Sequence, residues 1–205
     1  MNALEAVSGD LGDWPVAPGL SVAGSGVASQ PASAVATPAE LQRVLMESVT
    51  GVDWPTIIRA HDAASRGDWR TVLALDREWG ARPGWDGAVA EASFRAGQRQ
   101  LARMRPMRDV RVVQRYREAV EAGTARGWHP VVYGVVLAVH SIPLRQGLAH
   151  HALRVASVVA RALPSEAAAH EPGASTREGF ESDVAGRIPP ALDRVLAGGI
   201  RIAAQ

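Results

Sequence analysis

The 205-residue sequence contains no cysteine, and all 22 of its basic residues are arginine, so lysine is missing as well. Without thiols there can be no disulfide, thiolate zinc site, iron–sulfur cluster or cysteine nucleophile. Without lysine there can be no Walker A phosphate clamp and no pyridoxal Schiff base. These two absences argue against nucleotide hydrolysis and against several large classes of cofactor enzyme.

The chain also lacks a strong charge of one sign and a long apolar run. Its net charge is +1, and the locally basic stretch 99–117 is interrupted by Asp109, which is typical of a solvated helix face. The longest apolar run, 130–139, is about half of the roughly 20 residues that span a bilayer. The N-terminus lacks the basic and apolar regions of a signal peptide. We expect a soluble, cytoplasmic protein with no nucleic-acid or membrane partner.

The composition predicts one folded domain preceded by an arm. Hydrophobic residues make up 47% of the chain and charged residues 21%, which is ordinary for a globular protein of this size. Residues 1–36 are rich in glycine, alanine and serine with little periodicity, which indicates an irregular N-terminal arm. We therefore divide the chain into an arm, 1–36, and a helical domain, 37–205.

Helix signals follow one another from residue 37. Thr37-Pro38-Ala39-Glu40 is a capping box, since the threonine hydroxyl can accept from a free amide while the glutamate reaches back. Asp53 is interpreted as the cap of a second helix that ends at Gly67, and Asp68 as the cap of a third. Apolar and small residues at helical spacing predict further helices over 86–104 and from 109 to 123.

The run 130–139 is rich in valine and fits a buried strand as well as a helix. We favour a helix, because Pro130 suits a first helical turn and no second strand-like segment exists to pair with it. Pro143 then begins a long helix that Pro164 ends, and these two helices should form the core. Residues 165–176 are interpreted as a linker, followed by a weakly structured end with one short helix, 190–196, stopped by Gly198 and Gly199. The predicted fold is all-α, a single-domain helical bundle.

None of the six histidines is accompanied by further ligand residues at the spacing that a metal site needs. His150 and His151 are adjacent on a helix, so their side chains diverge by about 100°. His170-Glu171 lacks the second histidine of the HExxH motif. His129 is interpreted as part of a helix-start cap and His61 as a solvated side chain.

Motifs for acid–base, nucleophilic or phosphate-binding sites are equally scarce. The carboxylate pairs Asp76 with Glu78 and Glu178 with Glu181 lie in arginine-rich stretches and are interpreted as helix surface. There is no G-x-S-x-G elbow, and residues 24–26 are too short a glycine-rich stretch for a phosphate loop. We therefore predict no catalytic, cofactor-binding or metal-binding residues.

Tryptophan largely replaces phenylalanine and tyrosine, with six tryptophans against two of each of the others. A tryptophan at the edge of a core buries its ring while the indole N–H finds a carbonyl. Tryptophan is also enriched among the anchors of protein interfaces. Both interpretations remain open for the six residues, which are Trp14, Trp54, Trp69, Trp79, Trp85 and Trp128.

Several short stretches occur in an order that resembles a known family. The most distinctive is Gly127-Trp128-His129-Pro130-Val131-Val132-Tyr133-Gly134. The others are Asp53-Trp54-Pro55 with Ala60-His61, Gly67-Asp68 with Leu75-Asp76, Glu91-Ala92-Ser93 with Ala96-Gly97-Gln98-Arg99-Gln100-Leu101, and Val159-Ala160-Arg161-Ala162-Leu163-Pro164. No single stretch is specific, but their collinear order over residues 11–197 resembles the urease accessory protein UreF family.

The resemblance implies an all-α, usually dimeric protein without catalytic activity or cofactor. Proteins of this kind bridge UreD, also called UreH, and the nickel-carrying GTPase UreG during nickel insertion into apo-urease. The residues that we connect with partner binding are Trp54, Tyr133 and Arg161. The resemblance thus predicts UreD/UreH, UreG, apo-urease and a second copy of the chain as partners.

The sequence departs from the family pattern at both ends. The family's arm, of the type F-P-T-G-G-F-A-H-S-x-G-L-E, is matched by residues 14–26, where the histidine and glutamate are missing. The family's L-G-Q after the final proline is replaced by Ser165-Glu166-Ala167, and we expect the family's basic C-terminal tail to be lacking beyond Gln205. Two alternatives remain open: a small-molecule, haem or metal enzyme on a helical scaffold, and a helical interaction module unrelated to urease.

Overall fold

The computed structural model describes residues 38–82, 87–107, 109–161 and 176–202, and most of these residues lie in helices. The helices are α1 Pro38–Ser48, a π-helical turn Val49–Asp53, α2 Trp54–Ser65, α3 Trp69–Gly80, α4 Gly87–Arg103, α5 Arg111–Glu121, α6 His129–Val139, α7 Leu144–Ala160 and α8 Arg177–Ile202. No strand occurs in these ranges. The all-α prediction is confirmed.

The valine-rich run 130–139 is the central helix, α6. Every residue from His129 to Leu137 is buried, because α6 packs against α2 and α4 and also touches α3. A helix enclosed in this way has no polar face, which is why periodicity alone could not distinguish it from a strand. Gly134 permits the close packing on α2, since a Cβ atom there would lie 2.6 Å from the carbonyl oxygen of Ile57.

The prediction that Asp53 caps α2 is wrong. Asp53 itself has helical backbone angles and makes no side-chain cap bond, because the chain runs from α1 to α2 through the π-helical turn without leaving the helical region. Asp53 is buried inside the bundle instead. The other two predictions for this region are confirmed: Gly67 has a φ of +71°, and the Asp68 carboxylate accepts from the Thr71 amide at 3.1 Å.

The C-terminal prediction is also wrong, because α8 is long and continuous over Arg177–Ile202. Its buried side chains recur every three to four residues, and they are Phe180, Val184, Ile188, Ala191 and Leu192. Pro189 and Pro190 lie inside the helix, and both are exposed. Water can therefore bind the carbonyls that lose their amide partners, which is how a helix tolerates an internal proline.

Helix α8 covers one side of the bundle. It packs on α7 and on α1, where the Gln42 amide donates to the Asp183 carboxylate at 3.0 Å and Arg145 pairs with Asp193 at 2.7 Å. The predicted arm, the predicted linker, Thr37 and the boundary between arm and domain lie outside the described residues. None of the described helices is long and apolar enough to cross a membrane.

Candidate functional site

One carboxylate, that of Asp76 in α3, organises the turn that leads into α6. It is 1% exposed and accepts four hydrogen bonds: from the Tyr116 hydroxyl at 2.5 Å, from the Arg126 amide at 2.6 Å, from the Gly127 amide at 3.0 Å and from the Trp128 amide at 3.1 Å. Four donors from two other parts of the chain therefore converge on this one buried carboxylate, as buried polar groups require. Asp76 thereby fixes α3, α5 and residues 126–128 relative to one another.

The interpretation of Asp76 as helix surface is therefore wrong. Its neighbour Glu78 is exposed as predicted and pairs with Arg59 at 2.9 Å. The sequence does carry a signal for the difference, since Asp76 falls on the helical stripe of Val72 and Trp79, which are both buried. A carboxylate on an apolar stripe indicates a buried polar contact rather than surface.

Beside Asp76 the surface opens into a cleft of about 640 Å³. One wall is the end of α3, the other is α4, and the floor is the segment 123–128. The lining residues are Asp76, Arg77, Gly80, Ala81, Ala90, Glu91, Phe94, Gly123, Thr124, Ala125, Arg126 and Trp128. A volume in this range is typical of ligand and side-chain pockets.

The floor of the cleft lies close to α4 because two glycines meet there. A Cβ atom on Gly97 would lie 1.9 Å from the carbonyl oxygen of Gly127, so a side chain at Gly97 would push residues 126–128 away from α4. Gly127 itself has a φ of +78°, in the region that favours glycine. At the cleft the indole of Trp128 and the ring of Phe94 meet edge to face with centroids 6.5 Å apart.

A second polar group lies in the core between the π-helical turn, α6 and α7. Asp53, His129, Tyr133 and His151 are all buried. The ring centroids of the two histidines are 5.7 Å apart, and the tyrosine ring lies 5.6 Å from His129 and 5.5 Å from His151. The interpretation of His129 as a helix-start cap is wrong, since the structure records no side-chain cap bond at the start of α6.

Burial controls protonation in this group. Loss of hydration raises the pKa of Asp53 to about 7, against an opposing attraction from Arg82. Burial lowers the pKa of His129 to about 4, with a further contribution from Arg99, and it holds the pKa of His151 well below 6.5. The Asp53 carboxyl and the His151 imidazole lie 3.8 Å apart. Because burial disfavours charge on both, the pair is neutral between the lowered pKa of His151 and a pH of about 7.

The geometry of the histidines does not suit chelation. His129 and His151 face each other with planes inclined by 22°, so their rings stack rather than point at a common centre. No group of three or more potential ligands able to hold a metal is found among the described residues. His61 is half buried rather than fully solvated, and burial lowers its pKa.

The three residues predicted to bind partners differ in exposure. Trp54 is fully buried and Tyr133 is 2% exposed, and the Tyr133 hydroxyl donates to the Gly147 carbonyl at 3.0 Å. Arg161 is exposed at the end of α7. The two aromatic side chains therefore hold helices together, and Arg161 alone has an accessible side chain.

The tryptophans divide in a similar way. Trp54, Trp79 and Trp128 are buried and Trp69 is half buried, which agrees with the burial that the core-edge interpretation predicts. The carbonyl partner that this interpretation also predicts is not found among the described residues for the buried Nε1 of Trp54. Arg82 lies 4.2 Å above the Trp79 ring and Arg70 lies 4.9 Å above the Trp69 ring. Trp14 and Trp85 lie outside the described residues.

Comparison with known proteins identifies the family. The family model UreF matches residues 32–163. This range includes α1 to α7, the buried histidines and the Asp76 turn, which is the segment 126–128 whose amides donate to Asp76. No match is found among curated proteins, and none is found among solved structures. Because the matched range is well over half of the 205 residues, the chain belongs to the UreF family of urease accessory proteins.

Proposed function

We propose that this protein is a non-catalytic adaptor that bridges UreD/UreH and the GTPase UreG during nickel insertion into apo-urease. The observation that carries the proposal is the family match over residues 32–163. The structure supports a binding role in one further way, since the Asp76 turn presents a preformed cleft at the surface. The proposal places the protein in the cytoplasm, as a homodimer within the urease maturation complex.

Co-expression tests the proposal directly. The tagged chain is produced together with UreD and UreG, and the material that is retained on the affinity resin is examined for both partners. We expect a complex of all three proteins, and we expect apo-urease incubated with this complex, nickel and GTP to gain activity. Recovery of the tagged chain alone would contradict the bridging role. A Soret band or stoichiometric iron in the purified chain would favour the helical enzyme instead.

Arg161 is the residue through which we propose direct partner contact, whereas Trp54 and Tyr133 support binding only by fixing the helices. We expect Arg161→Ala to weaken recovery of the complex about fivefold, the effect of losing a charged contact at an interface. The melting temperature should stay unchanged, because the side chain is exposed. Arg103→Ala, which removes an exposed arginine from the end of α4, is the matched control. Equal recovery from Arg161→Ala and wild type would remove Arg161 from the interface.

A further inference from the structure

The π-helical turn between α1 and α2 is a joint at which the helix can bend. The Trp54 amide donates to the Val49 carbonyl, five residues back instead of four. On either side of this bond a threonine hydroxyl donates to the main-chain carbonyl four residues earlier, at 2.7 Å for Thr50 and at 3.1 Å for Thr56. Both features are typical of places where helices bend. The turn is therefore the place where α1 can change its direction relative to α2.

Beyond this joint, α1 buries little of its surface. It packs on α7 and α8, and among residues 39–48 only Gln42 and Leu45 are buried. In α6, by contrast, every residue from His129 to Leu137 is buried. A segment with few buried contacts can open locally at much less cost than unfolding the whole domain. Helix α1 and the turn form such a segment.

The Asp53 carboxyl lies at the base of this segment, opposite α7. Its Oδ2 atom is 3.8 Å from Nε2 of His151, which is longer than a hydrogen bond. Both ring nitrogens of His151 and the indole Nε1 of Trp54 are buried without a hydrogen-bond partner among the described residues. The Asp53 side chain is 12% exposed, against 1% for His151. A small outward movement of the turn would therefore bring the carboxyl into water.

No cation is held in contact with this carboxyl. Arg82, at the end of α3, attracts Asp53, but its guanidinium lies over the Trp79 ring at 4.2 Å. None of the ion pairs recorded within the described ranges joins these two residues. The other charged and titratable groups around the pair are Arg43 and Glu47 on α1, which pair with each other, Arg99 on α4, His129 and Tyr133 on α6, and His150 and Arg154 on α7.

We infer that Asp53 and His151 form a latch that holds the π-helical turn and α1 against α7 while the carboxyl keeps its proton, and that loss of this proton opens α1 locally. The ionised carboxylate would lie buried beside a neutral imidazole, and movement of the turn into water relieves that cost. The pKa of Asp53, raised by burial to about 7, places the opening near neutral pH. The latch is independent of the bridging role, since its opening requires no partner.

Hydrogen–deuterium exchange of the full chain, followed by mass spectrometry at pH 6, 7 and 8, tests the latch. Exchange in peptides covering 38–53 and 129–139 is corrected for the intrinsic dependence of exchange on pH and converted to opening constants. Between pH 6 and pH 8 we expect the ratio of wild type to Asp53→Asn to rise about tenfold over 38–53. This factor follows from a pKa of about 7 in the closed state against 3.8 in the open state.

The same ratio for 129–139 should stay within about twofold, because α6 remains buried when α1 opens. Asp62→Asn changes an exposed carboxylate that pairs with Arg66, and this matched control should follow wild type at every pH. Asp53→Leu is a second neutral replacement and should give the same rise if Asp53→Asn does not fold. A ratio over 38–53 that is independent of pH would overturn the inference. An equal rise over 129–139 would also overturn it, since the whole bundle would then loosen.

Discussion

Two buried carboxylates occupy opposite situations in this bundle. Asp76 accepts four hydrogen bonds, three of them from consecutive backbone amides. Asp53 is nearly as deeply buried, at 8% against 1% exposed, yet the ionisable partner recorded for it among the described residues is the His151 imidazole, at 3.8 Å. The comparison teaches that two carboxylates of similar burial can differ widely in the number of hydrogen-bond donors that satisfy them.

The difference has consequences for stability. The Asp76 carboxylate joins α3, α5 and the turn before α6, so its removal leaves four donors without a partner. Asp53 belongs to a group in which burial disfavours charge. At high pH the folded protein must hold this carboxylate ionised in the core, so replacing it with a neutral side chain should stabilise the fold there. A substitution at Asp76 should therefore lower the free energy of unfolding, whereas one at Asp53 should raise it at high pH.

The largest expected effect is that of Asp76→Ala. Three backbone amides and the Tyr116 hydroxyl would be buried without an acceptor, which should lower the free energy of unfolding by about 3–5 kcal/mol. Urea denaturation followed by far-UV circular dichroism measures this change. Glu78→Ala, on the exposed side of the same helix, is the control and should cost about 1 kcal/mol or less. Equal losses at the two positions would refute the central role of Asp76.

Asp53→Asn should produce a smaller effect that depends on pH and has the opposite sign. The pKa of Asp53 is raised from 3.8 to about 7, so its contribution to stability is largest below pH 3.8 and is lost as the pH rises to 7. Asparagine cannot ionise, so the variant should be more stable than wild type at pH 8. The upper bound of the gain is about 4 kcal/mol, from about 1.4 kcal/mol per pKa unit.

Thermal melts of both proteins between pH 4 and pH 8 measure this difference. We expect the gap between the two melting temperatures to widen up to about pH 7 and then to remain constant. Asp62→Asn changes an exposed carboxylate that pairs with Arg66 and should show no such widening. A gap independent of pH would mean that Asp53 is ionised throughout the range.

The smallest expected effect is that of Tyr116→Phe, which removes one of the four donors to Asp76 and leaves the ring in place. The loss should be about 1–2 kcal/mol, since one buried hydrogen bond disappears while the three amides continue to hold the carboxylate. Comparison with Asp76→Ala in the same urea titration shows how the stabilisation divides between hydroxyl and backbone. A loss as large as that of Asp76→Ala would place the stabilisation in the tyrosine alone.

The sequence predicts the helices well where local signals and burial agree. The Asp68 cap, the Gly67 turn and the α5 periodicity all depend on residues within one or two turns of one another, and each is found in the structure. Helix α8 was missed because Pro189 and Pro190 indicate a break. The spacing of Phe180, Val184 and Ile188 contained the contrary signal, since it recurs every four residues.

The candidate site was harder to foresee, because it depends on contacts between residues far apart in the chain. Asp76 meets amides 50–52 positions later, and nothing in the flanking sequence specifies that partner. The same holds for Asp53 and His151, which come from the π-helical turn and α7. Residues of α3, α4 and the segment 123–128 line one cleft only because residues 126–128 fold back on α3.

Helix α8 sets a practical boundary for truncating this protein. The family match ends at residue 163, yet α8 follows it and buries Phe180, Val184 and Leu192 against the bundle. A fragment that ends at residue 163 would expose to solvent the hydrophobic surface of α7 and α1 that α8 covers. Such a fragment would tend to self-associate. Expression trials and interaction screens should therefore carry the chain through at least residue 202.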